Sequence, residues 1–395
     1  MTQQSLPLNG VLVLDLAHWL AGPLVSRILA DLGADVIKVE PPGGETVREF
    51  QPGTEWVPRP TFLALNRDKR SVELDVKSEA GAQALRDLVT RADVLVHNFR
   101  PGVAERLGIS AQDMLELNPS LVYCSVSGYG SQGPYSRFPA TDGAIQAFSG
   151  MLDQFAAPGE DYGEPAGFIV ADVLGGMCAA IAVLGALCGR AHTGKGAHVD
   201  PSMAEAGLYA RMLACEGGMP PPQTFTAECQ DGHHILVQTS PYLLSRFIEV
   251  IGTIPGFDDF DIAAAFAAAS ADSNRLDAYL TGVRAIFATK PRDEWIALLA
   301  QAGVPAAPRN SYLEALEHEQ VRARGAATST DVPGLGEVPL AASPFLINGH
   351  RRTDTAAPRP LGADTAAVLR DLLGYGEDAV AAVCASLVAT NALTR

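Results

Sequence analysis

Asp172 stands at the mouth of a long apolar run rich in glycine and alanine, Phe168-Ile-Val-Ala-Asp-Val-Leu-Gly-Gly176. The position supports two readings. An aspartate just ahead of a helix caps it, its carboxylate accepting free backbone N–H groups for about 1 kcal/mol. The same placement keeps a carboxylate ionised among N–H dipoles, beside glycines that let a large substrate approach, and such a carboxylate can attack an acyl group as a nucleophile. A second acid, Asp142, follows a Pro-Ala-Thr turn, where turn, cap and catalytic roles are all open. The third element is basic. Arg67, Lys69, Arg70, Lys77, Arg86, Arg91, Arg100 and Arg106 are eight cations against seven acids between Asn66 and Arg106, so this stretch is +1 in a chain of net charge −16. Each alone reads as a solvated surface charge. Grouped on one edge, they read as a phosphate site, because Arg makes forked, charge-assisted contacts to phosphate oxygens.

Other motifs carry less. Gly128-Tyr-Gly130-Ser-Gln-Gly133 has dinucleotide-fingerprint spacing, but Pro134-Tyr135-Ser136 follows where a helix should open, so a turn is expected. Gly189-Arg-Ala-His-Thr-Gly194-Lys195 resembles a phosphate-binding loop, yet Gly196 replaces the Mg²⁺-binding Ser or Thr, and a helix precedes it rather than a strand. It reads as a helix C-terminus. His192, His198 and the pair His233-His234 lack metal spacing, and no metal site is expected. The six cysteines form no C-x-x-C pair and read as buried free thiols of a reducing cytoplasm.

The elements that must position these groups alternate. Val11–Leu16, Asp35–Glu40, Ser71–Val76, Val94–Phe99 and Leu121–Ser127 read as strands; Leu24–Leu32, with Pro23 ahead and Gly33 behind, and Ser78–Ala92 read as helices. Alternation of this kind implies a largely parallel, doubly wound α/β sheet with ligands beyond the carboxyl ends of its strands. Lys77 and Arg100 each just follow a strand and fall on that edge. Three segments are expected: 1–220 as the first part of a large domain, 221–330 as a small α+β domain after Pro220-Pro221-Pro222, and 331–395 as a return, marked by Pro and Gly from Val332 to Pro344.

With 47% hydrophobic and 19% charged residues, the chain has ample material for a core. Its negative balance argues against nucleic acid and anionic membrane surfaces. Met1–Gly10 has no basic region ahead of an apolar run, so no signal peptide is indicated. The apolar stretch Val173–Gly189 reads as a buried core helix rather than a membrane span.

Six stretches together resemble the class III CoA-transferases, the family of formyl-CoA transferase, carnitine CoA-transferase and α-methylacyl-CoA racemase. They are LAGPLVSRILADLGADVIKVEPP (20–42), LNRDKRSVELDVK (65–77), ADVLVHNFRPGVAERLG (92–108), SGYGSQGPYSRFPATDGAIQAFSG (127–150), TGKGAHVDPSMAEA (193–206) and PLGADTAAVLRDLLGY (360–375). The resemblance implies an interlocked, ring-like homodimer. Each chain would have a Rossmann-like large domain built from both termini and a smaller α+β domain, acting on acyl-CoA and small carboxylic acids without a metal or redox cofactor. Asp172 matches the family's nucleophile. Leu20, Ala21, Leu74, Lys77, Asn98, Phe99, Arg100, Arg106, Thr141 and Asp142 match positions lining the CoA site, with His18 and Trp19 next to them. Gly217-Gly218 matches the place of the family's glycine-rich loop, either a mobile cover or a plain interdomain turn.

Three departures shape the expected function. Pro41 stands where many members carry an Arg near the CoA adenosine. Leu20 replaces the Gln of formyl-CoA transferase, which weighs against an oxalate-type acceptor. Thr141-Asp142 replaces the His-Asp pair of the racemases, which removes one of two proton-transfer groups. The expected activity is therefore transfer of CoA from an acyl-CoA to a free acid through an aspartyl-CoA thioester on Asp172. The alternatives are a 2-methylacyl-CoA racemase or epimerase, and a non-catalytic CoA-binding protein.

Overall fold

Short runs such as Leu12-Val-Leu-Asp15, buried along their whole length, form strands because a parallel sheet covered on both faces accepts apolar side chains on either side. The computed structural model describes residues 6–48, 58–155, 163–213, 222–240, 242–257, 259–353 and 355–393; Gly217-Gly218 lies outside them. Six strands, β1 (Leu12–Asp15), β2 (Asp35–Glu40), β3 (Arg70–Glu73), β4 (Val94–His97), β5 (Val122–Ser125) and β6 (Ala197–Val199), make a wholly parallel sheet in the order β3-β2-β1-β4-β5-β6. Val13 on β1 pairs with Val36 on one side and Val94 on the other. Side chains alternate into two cores, one holding Val13, Val36, Val94 and Val122, the other Leu14, Ile37, Leu95 and Tyr123.

Of the helices that matter below, α1 (Ala21–Asp31) opens before Pro23 rather than after it, because proline is tolerated in a first turn that needs no intrahelical N–H. It stops at Gly33, whose φ of +108° no side chain tolerates easily. Helix α2 (Glu79–Arg91) is capped by the Ser78 hydroxyl, which accepts the Gly81 N–H. It is followed by α3 (Val103–Arg106), α4 (Asp142–Phe148), α5 (Val170–Thr193) and α6 (Met203–Leu213).

Two compact units result: Met1–Cys215 with Gln320–Arg395, and Glu216–Glu319. In the larger, the C-terminal segment closes on the sheet edge. Ser71 N–H donates to Asp364 at 2.9 Å and Glu73 N–H to the Thr365 hydroxyl at 2.9 Å. The smaller holds an antiparallel sheet of β7 (Thr224–Glu228), β8 (His234–Gln238) and β9 (Ala306–Pro308), packed through Phe225, Phe247, Phe287 and Trp295. The chain re-enters the larger unit at Gln320, ahead of the expected 331. The Pro/Gly cluster there is the tip and second strand of an antiparallel hairpin, β10 (Ala327–Val332) and β11 (Gly336–Ala341), not a linker.

The apolar stretch at Val173–Gly189 lies inside the 24-residue α5, but only one face is buried, through Ala171, Gly175, Gly176, Ala179, Ala180 and Val183. Met177 and Ile181 on the other face are exposed, so the expectation of a fully buried core helix does not hold for the single chain. The helix has the length and hydropathy of a membrane span, yet its small-residue face packs on α1 and α6.

Candidate active site at the carboxyl ends of β1 and β4

β1 and β4 are neighbours in the sheet but not in sequence, so the chain leaves them in opposite directions and a crevice opens beyond their carboxyl ends. The β1–α1 loop is fixed there through its backbone. The Asn98 side chain, one residue past β4, accepts the His18 N–H at 2.8 Å and donates to the His18 carbonyl at 2.7 Å. Ala17 N–H donates to Asp15 at 2.9 Å, and the Lys38 ammonium donates to the Ala17 carbonyl at 2.9 Å. Trp19 N–H donates to the buried Glu45 carboxylate at 2.9 Å. With the loop held at these points, the first N–H of α1, that of Ala21, faces the carboxylate of Asp172 and favours its ionised form.

Asp172 is not an N-cap. That position belongs to Ile169, which makes no side-chain capping bond. Asp172 is the third residue of α5, and its own free N–H is satisfied by Asp142 Oδ1 at 3.0 Å. Asp142 is the first residue of α4, and the amide of Gln146, one turn on, donates to its other oxygen. Gln146 in turn accepts the Ala166 N–H at 3.0 Å. The cap of α5 therefore comes from another helix. Gly176 lets α5 lie close against α1, since a Cβ there would lie 2.7 Å from the Ala21 carbonyl and 2.9 Å from Leu24.

A cavity of about 470 Å³ opens over these groups and is lined by Ala21, Asn98, Phe99, Arg100, Thr141, Asp142 and Asp172. A smaller, mostly apolar slot of about 170 Å³ is lined by Leu74, Lys77 and Phe99, with Leu16, Pro41 and Leu107. Phe99 forms a wall of both. Leu20 is the N-cap residue of α1 and lines neither; Arg106 is exposed on α3 and lines neither. The basic stretch also divides. Lys69 is buried against Asp15 at 2.8 Å and Arg70 pairs with Asp35, while Lys77 and Arg100 face the openings. Trp19, Phe138 and Met203 also line the larger cavity, and neither Phe138 nor Met203 stood out in the sequence. The support from Gln146 had a legible signal, an Asp–Gln pair four residues apart in a helical stretch.

Burial, and then the charge of Asp142, push the Asp172 carboxyl up to about 6, against the opposing Ala21 N–H bond. A reaction that begins from ionised Asp172 should show a free-enzyme kcat/KM that falls about tenfold per pH unit below that value. Asp142→Asn, which removes the like charge and keeps an acceptor for the Asp172 N–H, should move the limb to lower pH. A pH–rate profile of both proteins measures this.

The GYGSQG segment is a turn with no helix after it, Gly130 and Gly133 having φ of 88° and 91°. Gly194, φ 68°, ends α5. Among the described residues no cluster of His, Cys, Asp or Glu could hold a metal ion. The sequence pattern of CoA-transferase family III matches residues 8–365, which contain every group named above.

This chain belongs to CoA-transferase family III.

Among its relatives, the acetyl-CoA:oxalate CoA-transferase of Acetobacter aceti is 32% identical over 367 residues, covering 87% of this chain and 90% of that protein. The succinate–glutarate CoA-transferase of Agrobacterium fabrum is 32% identical over 403 residues, covering 94% and 97%. A crystal structure of a CaiB/BaiF family protein from Brucella suis superposes with a TM-score of 0.78 at 31% identity, over 93% of this chain and 100% of that one. The family III chain is thus an enzyme of the CoA-transferase class, with an α/β fold around a parallel sheet.

Proposed function

We propose that this enzyme moves CoA reversibly from an acyl-CoA to a free carboxylic acid, through an aspartyl-CoA thioester on Asp172. One observation carries the reading: a half-buried carboxylate faces a large cavity, met by the N–H of Ala21 and backed by Asp142. The Asp172 oxygen attacks the donor thioester carbonyl, the C–S bond breaks, and a mixed anhydride and CoA thiolate form. The thiolate then attacks the Asp172 carbonyl, expelling the donor acid as its carboxylate and leaving the aspartyl thioester. The acceptor carboxylate attacks that thioester and the steps run in reverse. One thioester replaces another, so no ATP is needed and none of these steps calls on a metal or redox cofactor. The protein holds the reactants together and offers the Ala21 N–H to developing negative charge.

The CoA chain would run past Phe99, with Arg100 and Lys77 on its phosphates and the apolar slot of Leu74, Pro41 and Leu107 beside its adenosine end. Leu20 and Arg106 remain proposed contacts at the rim. The charge of the whole chain does not oppose a polyanionic ligand at this edge, where Lys77 and Arg100 face the openings. A homodimer is supported by the exposed apolar side chains Met177 and Ile181 on α5 and Leu208, Tyr209 and Met212 on α6. Unpaired cysteines such as the buried Cys124 agree with a cytoplasmic setting.

Incubation with acyl-CoA panels, trapping with hydroxylamine or borohydride, and peptide mass spectrometry should place the modification on Asp172. Full-rate transfer by Asp172→Ala would overturn the covalent route. Exchange of an α-hydrogen of a 2-methylacyl-CoA with deuterated water, without transfer, would point to the racemase branch. Against that branch, no histidine is among the described residues lining the larger cavity.

A further inference from the structure

Three described non-glycine residues have positive φ, and two of them, Asp68 and Asn348, are types that tolerate it. The third is Trp19, at φ 67°. A bulky aromatic there is disfavoured by contact between its Cβ and the backbone. The residue is also 59% exposed, although a large aromatic gains most from burial. The conformation is imposed from below: Glu45 accepts the Trp19 N–H at 2.9 Å and is itself held by Lys38 at 2.9 Å. Strain that surrounding structure maintains at a cavity rim points to a use for the side chain.

The cavity supplies the use. Phe138, 52% exposed, lines it together with Trp19, and Val126, Ala140 and Met203 add apolar surface beside the polar Asn98, Ser127, Ser136 and Thr141. Phe138 is buttressed by Tyr135 with ring centroids 4.5 Å apart, and Tyr135 in turn meets Tyr129 and Phe148. The charged side chains among the described lining residues are Arg100, Asp142 and Asp172. With Arg100 placed on the CoA phosphates, a second carboxylate on the acid would lose water beside two aspartates, and burying an unpaired charge is costly. A flat apolar tail meets aromatic faces and loses nothing.

We infer that Trp19 and Phe138 are the aromatic walls of the acyl subsite, and that the acid exchanged is a monocarboxylic acid with a planar apolar tail rather than a dicarboxylic acid. The inference rests on the transfer reaction proposed above and narrows its substrate.

The test is isotope exchange, one acid at a time, between a ¹³C-labelled acid and its own unlabelled CoA thioester, read by mass spectrometry. The acids are phenylacetate, hexanoate, succinate and glutarate. Phenylacetate should exchange at least about tenfold faster than either dicarboxylate, the discrimination expected of a shaped apolar pocket. Trp19→Gly should lower phenylacetate exchange by about tenfold or more and reduce the preference over glutarate. It should also melt no lower than the parent, because glycine accepts φ 67°; Trp19→Ala should melt below Trp19→Gly. Faster exchange of succinate or glutarate, or a Trp19→Gly protein with unchanged preference, overturns this inference and leaves the transfer reaction standing. No exchange with any acid, and no label on Asp172, overturns both.

Discussion

Asp172→Asn is expected to lower CoA transfer by roughly three orders of magnitude or more, as removal of a covalent nucleophile does, while raising the melting temperature at pH 7. Both effects come from one geometry. The amide keeps the shape and an acceptor for the Ala21 N–H but cannot form the anhydride or the thioester. The stability gain follows from the raised carboxyl. Burial and Asp142 move it from 3.8 to about 6 in the folded chain. The protonated form is therefore favoured by folding, a contribution fully present below about 3.8 and lost as pH rises through about 6. At pH 7 the parent holds an ionised Asp172 at a cost that the neutral amide avoids. The melting difference between variant and parent should shrink towards zero at pH 4. A variant that loses activity and also melts lower at pH 7 would show that Asp172 supports the fold through bonds other than those described. Differential scanning fluorimetry across pH and a coupled transfer assay read the two effects separately.

Asp15→Asn is expected to destabilise the enzyme by about 3–5 kcal/mol, a large share of the stability of an ordinary domain. Asp15 is fully buried at the end of β1 and accepts from Lys69 at 2.8 Å, Ser26 at 2.7 Å and Ala17 N–H at 2.9 Å. Burial alone would raise its carboxyl, but the charges of Lys69 and Lys38 override this and hold it well below the usual carboxylate range. A depressed carboxyl contributes stability above its unfolded value and loses it only as pH falls through the low folded one. The deficit of the variant should thus narrow in strong acid, and also as pH rises towards 8, because burial already lowers the Lys69 ammonium to about 8 and the loss of Asp15 lets it shed its proton more readily. Its origin is the uncompensated Lys69 ammonium, so replacing both partners, Asp15→Leu with Lys69→Met, should recover part of the loss. Urea denaturation of the three proteins measures this.

Much of the fold was legible because parallel α/β elements are written locally. A β-branched run buried on both faces needs no distant information to be a strand, and β2 falls on the expected residues Asp35–Glu40. Asp172 was legible as a type, an acid at the start of a glycine-rich helix. Its setting was not. That Asp142 would take the capping role assigned to Asp172 depends on α4 meeting α5, and nothing in either segment encodes the encounter. The basic stretch misled in the same way. Lys77 follows a strand and was placed at the carboxyl edge, but nothing local showed that Lys69, just ahead of β3, is buried against Asp15 rather than open to a phosphate.

By itself, then, the sequence determined the alternating α/β order, the acid and the cations at the carboxyl edge, and the likeness to the CoA-transferase family. Periodicity, turn chemistry and motif order are properties of contiguous residues. Only the tertiary structure decided which of those groups meet. It joined β1 to β4, let α5 rest on α1 at Gly176, and held Trp19 in a left-handed conformation in the cavity that Asp172 also lines. Such contacts join residues far apart in the chain, and they are fixed by strand order and helix packing rather than by any local pattern.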